Sequence, residues 1–205
     1  NNSQYNEARK FYNLPNDSIV IGSFQKDGVG WGNGMQPKNV KGPDIFLQTL
    51  NQIRELFNIS VLLTGPARGY VIAGLEEMGI PYTHKYIEKY DDLVQCYHAL
   101  DLYLISSREE GGPMALMEGM ASGVPIVSTP VGMAEDFIIN GINGSISKHI
   151  SSKSLTESLV KTINLIQKGK LKKGDARRNI RPCSWPNVAK SHLDTIYQPL
   201  LNQSK

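Results

Sequence analysis

The amino-acid sequence predicts an α/β fold: a Rossmann-like parallel sheet with helices on both faces. Three observations carry the prediction. Short apolar runs rich in β-branched residues recur about five times, and each is followed by a segment with helical spacing, the pattern of βα units. The chain of 205 residues is 40% apolar and 20% charged, enough for a sizeable core in one domain and far from a disordered composition. It shows no internal repeat and no linker rich in Gly, Ser or Pro.

Residues 1–17 are polar and are expected to be a lead-in, with 18–205 forming a single domain closed by a C-terminal helix. Strands are expected at 18–24, 59–65, 80–84 (the weakest signal), 102–106 and 124–128. Pro43 suits the first position of a helix, because its missing N–H would have no partner there, and Phe46, Leu50, Ile53 and Phe57 share one face after it. Residues 91–100, 113–122, 155–166 and 185–200 carry similar helical patterns. The stretch 25–42, with five glycines and three lysines, is the one long irregular loop, a length usually tied to function or disorder.

Composition narrows the function classes. The formal net charge of +3 is too small to imply nucleic acid. Residues 168–190 hold eight Lys or Arg against one Asp, which reads either as a solvated basic face or as attraction to an anionic membrane surface. No apolar stretch approaches the ~18 to 20 residues a membrane helix needs, so a soluble protein is expected. Cys96 and Cys183 lie far apart with no C-x-x-C, which fits a reducing, cytoplasmic compartment. The polar start, with no initiator methionine and no signal-peptide apolar region, is expected of a fragment. His84, His98, His149 and His192 lack metal-ligand spacing, and no metal site or hydrolase triad is expected.

In an open sheet of this kind ligands bind beyond the carboxyl ends of the strands, so the loops that follow them are the candidates. After the fourth strand, Gly111, Gly112 and Pro113 leave the first-turn amides of the next helix, through Met114 and Ala115, approachable by phosphate. Glu110 and Glu118, which would repel phosphate, suit hydroxyl groups such as those of a sugar. After the first strand, Lys26 and Lys41 flank the glycine-rich loop and could hold a diphosphate as point charges. Gly65 ends the second strand and would let a ligand approach the backbone. Trp31 is expected to pack rather than to stack on a ligand. The turns at Val131-Gly132-Met133 and Asn140 to Gly144 are expected to be architectural.

These motifs resemble a known family. Ser107-x-x-Glu110-Gly111-Gly112, then Glu118-Gly119-Met120-Ala121-Ser122-Gly123-Val124-Pro125-Ile126-Val127-Ser128, Val131-Gly132-x-x-Glu135 and Asn140-Gly141-x-Asn143-Gly144 are similar to the C-terminal, donor nucleotide-sugar-binding domain of GT-B glycosyltransferases of family 4. Lys41-Gly42 and the closing Ser184-Trp185 with Tyr197 extend the likeness along the chain.

The resemblance implies one half of a GT-B enzyme, a retaining, metal-independent glycosyltransferase of the hexosyltransferase type working in polysaccharide or glycoconjugate biosynthesis. It implies that Glu118 holds the ribose, that Glu110 meets the donor sugar, and that Lys41 and Lys26 neutralise the diphosphate with amides from Gly112 to Ala115. Tyr86 and Ile87 would lie along the base. The implied partners are a nucleotide sugar, UDP- or GDP-linked, and an N-terminal acceptor domain of the same polypeptide that this chain lacks. No cofactor is implied. Location would be cytoplasmic, with peripheral contact of the full-length enzyme at the inner membrane face left open. Two alternatives also stay open here: a non-catalytic nucleotide-sugar-binding module, and an epimerase or phosphorylase on the same fold.

Overall fold

A computed structural model describes residues 2–171 and 174–203; Lys172 and Lys173 of the basic stretch lie outside the described residues. Six parallel strands, β1 (Ile19–Phe24), β2 (Ile59–Thr64), β3 (Tyr82–Lys85), β4 (Leu102–Ile105), β5 (Ile126–Ser128) and β6 (Gly144–Ile146), form one sheet in the order β3-β2-β1-β4-β5-β6. β1 pairs with β2 through Ile19↔Ile59 to Phe24↔Thr64 and with β4 through Ile21↔Leu102. The strand order reverses between β1 and β4, so their following loops part there and leave a crevice.

Side chains alternate across the pleat. Val20, Leu62 and Tyr103 enter the core on one face, while Ile21, Leu63 and Leu104 enter the other. Burial on both faces is why these strands read as nearly continuous apolar runs. Helices α1 (Asn2–Phe11), α4 (Leu93–His98), α5 (Met114–Ala121) and α8 (Asp175–Ile180) cover the first face. Helices α2 (Pro43–Ile53), α3 (Gly69–Glu77) and α7 (Ser152–Gln167) cover the second. Helix α6 (Ala134–Phe137) follows β5. Phe57, expected on α2, lies past its end but packs half-buried on the same core.

Three expectations need correction. The stretch 1–17 is not a lead-in: α1 and the residues after it put Ala8, Tyr12 and Leu14 in the core and bury Arg9 completely. The Arg9 guanidinium donates to Ala99 O at 3.2 Å and Ser18 O at 3.1 Å and pairs with Asp101, which also accepts from Val20 N at 2.8 Å. A polar helix is thus held by one buried cation, which its composition conceals. β6 was not expected because Gly144-Ser145-Ile146 is short and not apolar. A Cβ at Gly144 would stand 1.9 Å from Ile126 O, so only glycine admits this pairing. The closing segment continues past 200: α9 (Trp185–His192), a π-helical turn (Leu193–Tyr197) and α10 (Gln198–Gln203) follow one another, with Trp185 84% and Tyr197 58% exposed.

Candidate functional site

Three loops meet at the carboxyl edge of β1, β4 and β5. Ser106 and Ser107 follow β4 and are buried. Ser106 Oγ donates to Lys41 O at 3.2 Å, and Arg108 N donates to Val40 O at 2.8 Å, lacing the β4 loop to the residues before α2. Gly42 makes that approach possible: its φ is +61°, and a Cβ there would lie 2.0 Å from Ser106 O. On the far side Thr129 Oγ1 donates to Ser107 O at 2.6 Å, and Gly132 packs so closely that a Cβ would be 2.3 Å from Gly111 O. The turn at Gly132 is therefore a wall of the site as well as architecture. Together these loops border a broad, open cavity of about 560 Å³ lined by Val40, Lys41, Arg108 to Gly111 and Pro130 to Gly132.

Lys41, Glu110 and Arg108 are each paired in the cavity, and Glu109 adds a further carboxylate to its lining. The Lys41 ammonium contacts Glu110 Oε1, which also accepts from Ser107 Oγ at 3.1 Å. Arg108 makes a bidentate pair with Asp44 at 2.8 and 2.6 Å and donates to Asn39 O at 2.8 Å. That hydrogen-bonded guanidinium holds the Asp44 carboxyl below its ordinary range, although partial burial opposes it. Neither Arg108 nor Asp44 was singled out from sequence; the arginine was visible in the loop, but nothing marked its partner in α2.

Helix α5 opens at Pro113, whose extended ψ of 111° makes it the residue before the first turn rather than part of it, and no side chain caps this end. One turn further on, Glu118 accepts from Tyr90 Oη at 2.6 Å and from Tyr97 Oη at 2.8 Å, one bond on each oxygen. The bond to Glu118 pushes the Tyr90 hydroxyl up to about 12, and burial, before any charge effect, pushes Tyr97 far higher. Both hydroxyls therefore stay protonated donors, and each Glu118 oxygen keeps a lone pair for another hydroxyl. Tyr97 was not singled out from sequence. Its ring is core, and only its hydroxyl is committed to Glu118, 21 positions away.

The expected site residues thus divide. Lys41, Glu110 and Gly111 line the cavity. Gly112 and Pro113 lead into α5 and Met114 and Ala115 begin it, with Glu118 beside Tyr90 on its next turn. Tyr86 is 66% exposed after β3, and Ile87 packs half-buried on the core. Lys26 is not brought to the cavity; its ammonium sits 3.8 Å over the ring of Trp31. Trp31 is not packed as expected but 82% exposed, because the loop carrying it folds back on itself through a Gly28↔Pro37 bridge.

Gly65 belongs to a different junction. Its φ is +89° and its carbonyl contacts His84 Nε2 at 2.8 Å. Nearby Arg68, fully buried, donates to Ser23 O at 2.6 Å and Thr64 O at 2.9 Å and pairs with buried Asp27 at 3.1 Å. Burial pushes the Asp27 carboxyl up, and the Arg68 charge pulls against it. Among the described residues no group of three or more His, Cys, Asp or Glu could hold a metal ion. No described helix is long and apolar enough to cross a membrane.

Residues 28–165 match the family described as Glycosyl transferases group 1. An uncharacterized glycosyltransferase of Methanocaldococcus jannaschii is 26% identical over 60% of this chain and 35% of its own length. The D-inositol 3-phosphate glycosyltransferase of Corynebacterium urealyticum is 24% identical over 94% of this chain and 46% of its own. The chain therefore spans less than half the length of these relatives. In fold it is similar to Anabaena HepE solved in complex with UDP-glucose, with a TM-score of 0.71 at 19% identity over 98% of this chain and 53% of that one.

Proposed function

We propose that this chain, which belongs to the group 1 glycosyl transferases, is the donor-binding domain of a retaining enzyme that transfers a sugar from a nucleoside diphosphate during glycoconjugate assembly. One observation carries the reading: Lys41, Arg108 and Glu110 converge on one cavity beside the uncapped start of α5, with Glu118 held ready one turn on. The diphosphate lies against the amides that begin α5, within reach of Lys41, where dipole and ammonium offset its charge. Glu118 accepts the ribose hydroxyls and Glu110 a hydroxyl of the sugar.

As the bond from the anomeric carbon to the diphosphate breaks, the developing charge on the leaving oxygen is stabilised by these fixed donors, so that transfer proceeds without a metal ion. The neighbour solved with UDP-glucose supports a UDP-linked donor, with GDP the first alternative. The acceptor is held by an N-terminal domain of the same polypeptide. Both reactants must share one cleft, so this chain alone binds donor and does not transfer it.

The test is the melting shift of this chain with saturating UDP, GDP, ADP and dTDP, beside Glu118→Ala and Lys41→Ala. A ligand at about 100 times its dissociation constant adds ~2.7 kcal/mol of stability. One nucleotide is expected to raise the melting temperature, and both substitutions to diminish that rise. No shift with any nucleotide refutes the reading.

A further inference from the structure

We infer that Glu110 competes with the donor diphosphate for Lys41, and that this competition makes the site prefer the sugar-bearing nucleotide to the free nucleoside diphosphate. The inference rests on the donor-binding reading above and adds to it a specificity role for Glu110.

The Lys41 ammonium and the Glu110 carboxylate pair on the wall of the cavity, with side chains 23% and 14% exposed. The same Glu110 oxygen accepts from Ser107 Oγ at 3.1 Å. A diphosphate seated against α5 presents its oxygens to an ammonium that is already committed. Lysine is one compact charge, and a phosphate that draws it away leaves a half-buried carboxylate holding only the Ser107 hydroxyl.

That loss is made good only when a sugar arrives with the diphosphate, because its hydroxyls donate to the vacated carboxylate oxygen. A free nucleoside diphosphate brings no such donor to that place. After transfer the carboxylate is again left with only the Ser107 hydroxyl, and retaking Lys41 weakens the hold on the product.

Two other acids near the site, Glu118 and Asp44, differ in the way this requires, and Glu109 in the cavity lining is not paired with Lys41. Glu118 is held by two neutral hydroxyls, so a ligand reaching it displaces no cation. Asp44 holds Arg108 in a bidentate pair reinforced by Asn39 O, an arrangement that a single incoming oxygen does not replace.

The experiment is calorimetric titration of this chain with UDP, UDP-glucose, GDP and GDP-mannose, for the parent, Glu110→Gln, Lys41→Met and the double variant. Glu110→Gln keeps size and a carbonyl acceptor but removes the charge. It is expected to bind the free diphosphate roughly three- to tenfold tighter, with a smaller gain or a loss for the sugar nucleotide. In the Lys41→Met background most of that gain is expected to vanish.

Unchanged or weaker diphosphate binding by Glu110→Gln overturns the inference. So does an equal gain without Lys41, which would mean simple repulsion between carboxylate and phosphate. If Glu110→Gln does not fold, Ser107→Ala carries the test: stripping the carboxylate of its other donor strengthens its claim on Lys41 and is expected to weaken UDP binding, and unchanged or tighter binding refutes the idea. A parent chain that binds none of the four ligands refutes the donor-binding reading itself, a failure distinct from these.

Discussion

The turn from β2 into α3 and the turn from β4 into α5 both run through glycine and proline at the carboxyl edge of the sheet, yet one is filled and the other is open. After β2, the first amides of α3 are taken: Gly69 N donates to Asn33 O at 2.7 Å and Tyr70 N to Gly34 O at 3.0 Å, both carbonyls of the 25–42 loop. Glycines again permit the contact, since a Cβ at Gly34 would lie 2.2 Å from Ala67 O. Beneath it Arg68 and Asp27 close the junction. After β4, Leu116 N turns back on Pro113 O at 2.9 Å within its own turn, and Lys41 and Glu110 pair in the cavity that Gly111 lines just before the helix. A helix N-terminus becomes an anion site only where neighbouring backbone has not already satisfied it.

The largest effect is expected from breaking the filled turn. Arg68→Met leaves the Asp27 carboxylate buried without its cation, and stability in urea titration is expected to fall by about 3 to 5 kcal/mol at neutral pH. Burial already raises the Asp27 pKa above its ordinary value of 3.8. A raised carboxyl favours the folded state least when ionised, so the deficit is expected to shrink as the pH falls towards and below the folded value. A pH-independent loss would deny Asp27 this role.

A smaller loss is expected where the open turn is braced. Gly42→Ala places a Cβ 2.0 Å from Ser106 O at a φ of +61°. Strain and displacement are expected to cost about 2 to 3 kcal/mol by thermal melting and to abolish the nucleotide-induced shift, because Lys41 moves with its neighbour. An intact shift would mean that this bracing does not position Lys41.

The smallest effect concerns the pair on the open side. Asp44 has its carboxyl held below 3.8 by Arg108, so its contribution is complete above that pH and is lost as the pH falls through the folded value. Asp44→Asn is expected to cost less than about 1 kcal/mol at neutral pH and to flatten the acid limb of the stability profile. An unchanged acid limb would separate Asp44 from acid sensitivity.

Much of this was legible. β1, β2 and β4 are buried on both faces and announce themselves as apolar runs, and Pro43 and Pro113 mark helix starts because proline costs nothing where an amide has no helical partner. Glu110, Glu118 and Lys41 could be chosen by residue type and by position after a strand. What could not be read was who meets whom. Arg9 looked like one more charge in a polar lead-in, yet it is the buried anchor of α1. Lys26 and Lys41 looked equivalent, and the fold sent one to Trp31 and the other to Glu110.

The sequence by itself determined the layered α/β architecture, the loops at the carboxyl edge of the sheet and the residue types those loops carry, because hydrophobic period and turn residues act locally along the chain. Only the tertiary structure decided which helix start is open, which lysine faces the cavity, and that Glu118 is held by Tyr90 and Tyr97. The first two outcomes go with close approaches of backbone at Gly34, Gly42 and Gly132, and the third with side chains of separate elements meeting at Glu118, all between segments at least 21 residues apart. Such contacts are set by how whole elements pack, and no local pattern encodes them.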